Sequence, residues 1–401
     1  MVETNEGGHD GVLRFPEGFL FGTATAAHQV EGGNTNNDWW VFEHDSSSGC
    51  VESSGDACDS FHRWREDVAL VADLGLKAYR FSVEWSRIEP SEGEWSIAML
   101  DHYRRICAAC VGRGIQPVVT LHHFTTPIWL SKRGGWESRD APERFARFVA
   151  RVVAHLGDLI GMACTINEPN IVSVMGYTLG EFPPGLKNEL GRHRAVNEAM
   201  IRAHHLGVEA LNSGPGDFPV GMTLAMSELV AEEGGEKMRD AARELMEDVF
   251  LRELRDDDFV GVQCYTRTRF GPRGTLGPEP GVAPTQMGYE YWPQVVEHTL
   301  RRAADVTGIP VVVTENGVAT EDDKERVAYM RDALSGLHRC IEDQIDVRGY
   351  FAWSLMDNFE WNLGYRPKFG LCALDRETFE RRPKPSAFFF GEVSKRGELV
   401  V

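Results

Sequence analysis

The chain has 401 residues, of which 42% are hydrophobic and 26% charged, with a formal net charge of -19 at pH 7. That mix is close to the globular average, so a sizeable core is expected and extended disorder is excluded. The acidic balance repels phosphate backbones and anionic lipid, which argues against nucleic acid and membrane surfaces as partners, and no apolar run approaches the ~20 residues of a bilayer span.

The first dozen residues are polar and acidic, without a basic start or an apolar run. They read as a flexible tail over residues 1–12, neither signal peptide nor membrane anchor, which predicts a cytoplasmic protein. From there to the end, short β-rich runs alternate with helix-length amphipathic stretches. The predicted strands are Phe19–Thr25, Ala78–Ser82, Gln116–Leu121, Met162–Asn167, Pro219–Ala225, Phe259–Gln263, Pro310–Thr314 and Gly349–Ser354. The intervening helices carry apolar stripes near a 3.6 period, as in Phe145, Phe148, Val149, Val152 and Val153. The acidic stretch Glu228–Asp258 reads as mostly helical, with its charges on a solvated face.

Eight strands separated mainly by helices, with no Pro-, Gly- or Ser-rich linker dividing them, predict an α/β fold of one domain over residues 13–401, a single (β/α)8 TIM barrel. Of eight cysteines only Cys107 and Cys110 form a C-x-x-C, and a zinc site would need a second ligand pair at matching spacing. The cysteines therefore read as reduced, small core residues, and neither metal nor cofactor is expected.

In a barrel the reacting groups sit where strands end and βα loops begin. Glu168 stands in Cys164-Thr-Ile-Asn-Glu-Pro-Asn170 after the fourth predicted strand, and Glu315 in Val311-Val-Val-Thr-Glu-Asn-Gly317 after the seventh. Two carboxyl groups facing one another across a barrel mouth suit glycoside cleavage with retention, one attacking the anomeric carbon while the other protonates the leaving oxygen. The acid has to stay protonated near neutral pH, which a neighbouring carboxylate promotes. Taken singly, each glutamate could equally be a loop residue or a helix N-terminal charge.

Further motifs change that balance. Phe15-Pro-Glu-Gly-Phe-Leu-Phe-Gly-Thr-Ala-Thr-Ala-Ala-His-Gln-Val-Glu-Gly32 is followed by Tyr79-Arg-Phe-Ser-Val-Glu-Trp-Ser-Arg-Ile-Glu-Pro90 and Leu121-His-His-Phe-Thr-Thr-Pro-Ile-Trp129. Gly180-Glu-Phe-Pro-Pro-Gly185 and Trp353-Ser-Leu-Met-Asp-Asn-Phe-Glu-Trp361 come later. In this order the motifs resemble those of glycoside hydrolase family 1 β-glucosidases from Leu13 to Val393.

The resemblance implies that Glu168 is the general acid/base and Glu315 the nucleophile. It also implies that Arg80 keeps Glu315 ionised and that Tyr265 orients the same carboxylate through its hydroxyl. Gln29, His123, Asn167 and Glu360 would contact the sugar, with Asn167 at the 2-hydroxyl, and Trp353 and Trp361 would supply its apolar face. Of the adjacent histidines only one can point into the pocket, because side chains alternate across a strand, and His122 is the less favoured. Arg80 alone could be a structural ion-pair partner, and Tyr265, His123 and Trp353 core residues.

Relatives that cleave phosphorylated glycosides tend to carry a Ser, Lys and Tyr set where this chain has Trp361, Pro367 and Phe369, and a Glu360 carboxylate would repel phosphate. The expected substrate is therefore a small neutral β-glycoside, most plainly a β-D-glucoside, with galactosides and fucosides as further candidates. Transglycosylation to an alcohol acceptor, a silent sugar-binding barrel and a metal-assisted hydrolase are the competing readings. The chain departs from the usual family pattern at Gln263 and Cys264, where Asn-Tyr is common, and at Phe124, where Trp is frequent. The region between the two glutamates is short around the fifth and sixth βα connections, which predicts a wide entrance tolerant of bulky or apolar leaving groups.

Overall fold

The computed structural model describes residues 11–401. Eight strands have almost every inner-end side chain buried on both faces, as in Val311–Asn316, where all six residues are buried. Continuous apolar runs of this kind are what a parallel sheet covered on both sides requires. In chain order the strands are β1 Leu20–Ala24, β2 Ala78–Ser82, β3 Gln116–His122, β4 Met162–Asn167, β5 Val220–Ala231, β6 Phe259–Gly271, β7 Val311–Asn316 and β8 Val347–Trp353. Each pairs with its neighbour in parallel, β8 with β1, and the β5–β6 ladder closes the ring. The result is the expected (β/α)8 barrel.

A helix follows each strand: α1 Ser60–Leu74, α2 Ile97–Val111, α3 Ala141–Leu156, α4 Leu190–Asn212, α5 Glu236–Arg243, α6 Val295–Thr307, α7 Asp323–Glu342 and α8 Pro385–Arg396. The predicted stripe on α3 is fully buried, and it packs with Tyr79 and Phe81 of β2 in one large cluster between helices and barrel. Alternate residues of the strands turn inward. Ala78, Val118, Met162, Cys164, Phe259, Val312 and Phe351 fill the lower barrel as a separate plug, and the next inward position on β2 is Arg80, at the mouth.

Six of the predicted strands agree with the observed ones to within two residues, but β5 and β6 run on to Ala231 and Gly271. They stay paired as far as Ala231 with Phe270, and Gly274–Leu276 folds back antiparallel on β6. This ribbon corrects the reading of Glu228–Asp258 as mostly helical: its first four residues are strand, because pairing with β6 supplies the backbone partners that a helix would have supplied. Its charges are not all solvated either. Glu228 accepts from the Trp292 indole at 2.5 Å, and buried Glu247 accepts from the Ser227 amide at 3.2 Å.

Most of the predicted tail, residues 1–10, lies outside the described residues; Val12 is already in a strand, Val12–Arg14, paired with Glu398–Val400 near the other end of the chain. All eight cysteines are free thiols and seven are buried, Cys107 and Cys110 among them on α2. Among the described residues no helix is long and apolar enough to cross a membrane, and no group of three or more His, Cys, Asp or Glu could hold a metal ion.

Candidate active site

Arg80 sits at the centre of the barrel mouth, fully buried. Nη1 donates to Glu315 Oε1 at 2.5 Å, and Nη2 donates to the Asn167 side-chain oxygen. Two further donors reach Glu315 from β6: Tyr265 Oη to Oε2 at 2.6 Å and Gln263 Nε2 to Oε1 at 2.7 Å. Gln263 and Tyr265 can converge in this way because side chains two apart on a strand share a face.

Glu168 is held differently. It terminates β4 in a left-handed backbone conformation, φ 43° and ψ 60°, which turns the chain into the short helix Pro169–Ser173. Its amide donates to the Thr223 carbonyl at 2.8 Å, while among the described residues no side chain or amide donates to its carboxyl. Burial, then the charge of Glu315, push this carboxyl well above the usual carboxylate range, with Arg80 opposing. Burial also pushes Glu315 up, but Arg80, Tyr265 and Gln263 all act to hold it ionised. Of the two buried acids, Glu168 therefore keeps the proton at neutral pH.

The other predicted residues surround this pair. Asn167 Oδ1 accepts from Arg80, from Gln263 at 2.9 Å and from Thr223 at 3.2 Å, which fixes the amide so that its nitrogen meets His123 Nε2 at 3.2 Å. His123 stacks between the planes of Trp353 and Trp361, each 6.1 Å away, and burial keeps its ring neutral. His122 points the other way, into the helix layer, edge-on to Trp136 at 5.0 Å, with its pKa lowered by burial to about 3. Gln29 donates to the Phe359 carbonyl at 2.7 Å, to Asn358 and, at 3.4 Å, to Glu360; its own side-chain oxygen is buried without a partner. Burial, then the charge of Glu315, push the Glu360 carboxyl up to about 8, so in the empty site it is largely protonated at neutral pH, in contrast to the carboxylate expected there. Together these residues line a cavity of about 640 Å³.

The family model for glycosyl hydrolase family 1 matches residues 12–268 and 260–399. The chain belongs to this family of glycoside hydrolases. It is 30% identical to Beta-glucosidase A of Thermotoga maritima, covering 97% of this chain and 99% of the relative. It is 32% identical to a bifunctional beta-D-glucosidase/beta-D-fucosidase of Bifidobacterium breve, covering 93% and 96%. The crystal structure of a beta-glycosidase superimposes with a TM-score of 0.90 at 49% identity, covering 95% of this chain and 97% of the other.

In this family 1 chain all ten residues singled out from sequence lie at one barrel mouth, with the possible partners of Arg80 and Tyr265 resolved in favour of Glu315. Gln263 had been read only as a departure from the family pattern, yet it bridges Glu315 and Asn167. Its signal was available: a polar residue two before Tyr265 on the same strand face. Asn358, which helps anchor Gln29, and Asn316 were also missed. Asn316 Nδ2 donates to the Cys264 carbonyl at 2.5 Å, its Oδ1 accepts from Tyr350 at 2.8 Å, and Tyr329 Oη in turn donates to the Tyr265 carbonyl at 3.1 Å.

Proposed function

We propose that the chain is a retaining β-glucosidase acting on terminal, non-phosphorylated β-D-glucosides, in which Glu315 is the nucleophile and Glu168 the general acid/base. The observation that carries this reading is the unequal surroundings of two buried carboxyls in one cavity: Glu315 accepts from three side chains, and Glu168 from none among the described residues. A carboxylate held ionised is suited to attack the anomeric carbon, while a carboxyl holding its proton is suited to deliver it to the departing oxygen. In the second half-reaction Glu168, now ionised, removes a proton from water as that water attacks the glycosyl–Glu315 ester, and both groups return to their starting states.

The Asn167 amide oxygen is already saturated by Arg80, Gln263 and Thr223, so the group presents an N–H to the cavity, a donor suited to the sugar 2-hydroxyl. Trp353 and Trp361 offer apolar faces for the ring, and the partnerless Gln29 oxygen can accept from a hydroxyl. Protonated Glu360 both donates and accepts. Phosphate is disfavoured, because the two other arginines on the lining, Arg267 and Arg269, are already paired with carboxylates. The names of the relatives favour glucose as the sugar and leave fucosides and galactosides as further substrates. Eight free thiols suit a reducing compartment such as the cytoplasm.

The test is turnover of 4-nitrophenyl β-D-glucoside by wild type, Glu315→Gly and Glu168→Ala, with and without azide. Loss of activity in Glu315→Gly with azide yielding the α-glycosyl azide, and rescue of Glu168→Ala to the β-azide, is the expected result. Full activity of Glu315→Gly without azide would remove it from the nucleophile's role.

A further inference from the structure

The two ends of the cavity differ in chemistry. Around Gln29, His123 and Glu360 it offers fixed donors and acceptors. The opposite wall is formed by Met175, Met226, Met246 and Met287, with Phe182 and Leu276 beside them. Four of the chain's twelve methionines thus meet at one cavity. They arrive from four different segments: the turn Val174–Leu179 after β4, the extension of β5, the turn Glu244–Asp248, and the loop after β6.

Several polar groups in that half are already occupied. Arg267 is clamped between Glu279 and Glu290 and lies 4.0 Å over the Trp292 ring. Arg269 is held by Glu232, and the Thr266 hydroxyl donates to the Glu290 carbonyl at 3.1 Å. A sugar placed here would bury hydroxyls against thioethers, at the cost of unsatisfied hydrogen bonds. An aromatic ring would lose nothing and would gain sulfur–aromatic contacts from side chains that adapt to its outline.

Resting on the β-glucosidase reading above, we propose that the leaving-group half of the site is built for aryl and fused-ring aglycones, not for a second sugar. The ribbon of β5 and β6 is what makes it so, since it carries Met226 and supports the loop bearing Met287.

Three non-hydrolysable probes test this as inhibitors of 4-nitrophenyl β-D-glucoside turnover: methyl and 2-naphthyl 1-thio-β-D-glucoside, and the thio-linked disaccharide whose leaving half is glucose. The naphthyl compound is expected to bind at least about tenfold more tightly than the methyl compound, and more tightly than the disaccharide. Met246→Gln and Met287→Gln, both partly exposed positions, are each expected to narrow the naphthyl-to-methyl ratio by about threefold, with melting temperature checked in parallel. A disaccharide that binds as tightly as the naphthyl compound, or a ratio unchanged in both variants, overturns the proposal. If the wild type leaves 4-nitrophenyl β-glucoside intact but cleaves another β-glycoside, the glucose reading fails separately, and the same three aglycones on that sugar decide the inference.

Discussion

Gln263 and Glu315 show how much one amide can contribute to a charged group. Gln263 Nε2 donates at 2.7 Å to the oxygen that also accepts from Arg80, so this carboxylate is stabilised by a neutral donor as well as a cation. Replacing the amide with Gln263→Leu removes a hydrogen bond to a charged group, worth about 1.5–3 kcal/mol, and is expected to lower kcat/KM by roughly 10- to 100-fold. The loss acts on the ionised form of Glu315, so its pKa rises. The acidic limb of the pH profile of kcat/KM should therefore move to higher pH, and restoring the donor as Gln263→Asn should recover part of the shift. A profile that keeps its acidic limb would mean that Gln263 does not help to ionise Glu315. The roles of Glu168 and Glu315 as a pair could be read from their motifs because strand-end carboxylates have few other uses, but which hydrogen bonds tune each one depends on side chains distant in the chain.

Between strands, Asn316 ties β7 to its neighbours. Its amide spans the Cys264 carbonyl on β6 and the Tyr350 hydroxyl on β8, and so sets the backbone that aims Tyr265. Gly317 next to it is required for a separate reason: a Cβ there would lie 2.3 Å from the Trp353 carbonyl. Asn316→Ala leaves buried polar groups on two strands without a partner and is expected to cost about 2–4 kcal/mol, measured by urea unfolding, with a fall in kcat from the loosened Tyr265. Unchanged stability would mean that these groups find other partners. The first half of β6 was legible as an apolar run. Its extension, Thr266 to Phe270, alternates polar and apolar residues, and so did carry a strand signal. The continuation of β5 was harder to see, because Glu228 lies in an acidic segment whose local pattern favours helix, and only pairing with β6 overrides that preference.

Across the whole molecule, the site is assembled at a cost in stability. Asp38 and Glu247 are pushed to about 7 and Glu360 to about 8, in each case mainly by burial. Their pKa values are higher folded than unfolded, so the stability linked to them is fully present below the ordinary carboxylate range and is lost as pH rises through about 7 to 8. Glu360→Gln cannot ionise, and is expected to be more stable than wild type by about 1–2 kcal/mol at pH 8, with the difference vanishing near pH 5, while losing affinity for the sugar. Thermal melts of both proteins across that range check it; a gap that persists at pH 5 would point to packing instead of ionisation. The sequence by itself determined the barrel, from the alternation of eight apolar runs with amphipathic helices, and the two glutamates, from polar motifs placed directly after such runs. Both are local patterns, set by a few neighbouring residues. Only the tertiary structure decided that Gln263 joins the donors on Glu315, that Glu360 holds a proton and that four methionines from separate segments form one wall, because burial, charge and contact at those points are properties of neighbours brought together by barrel closure.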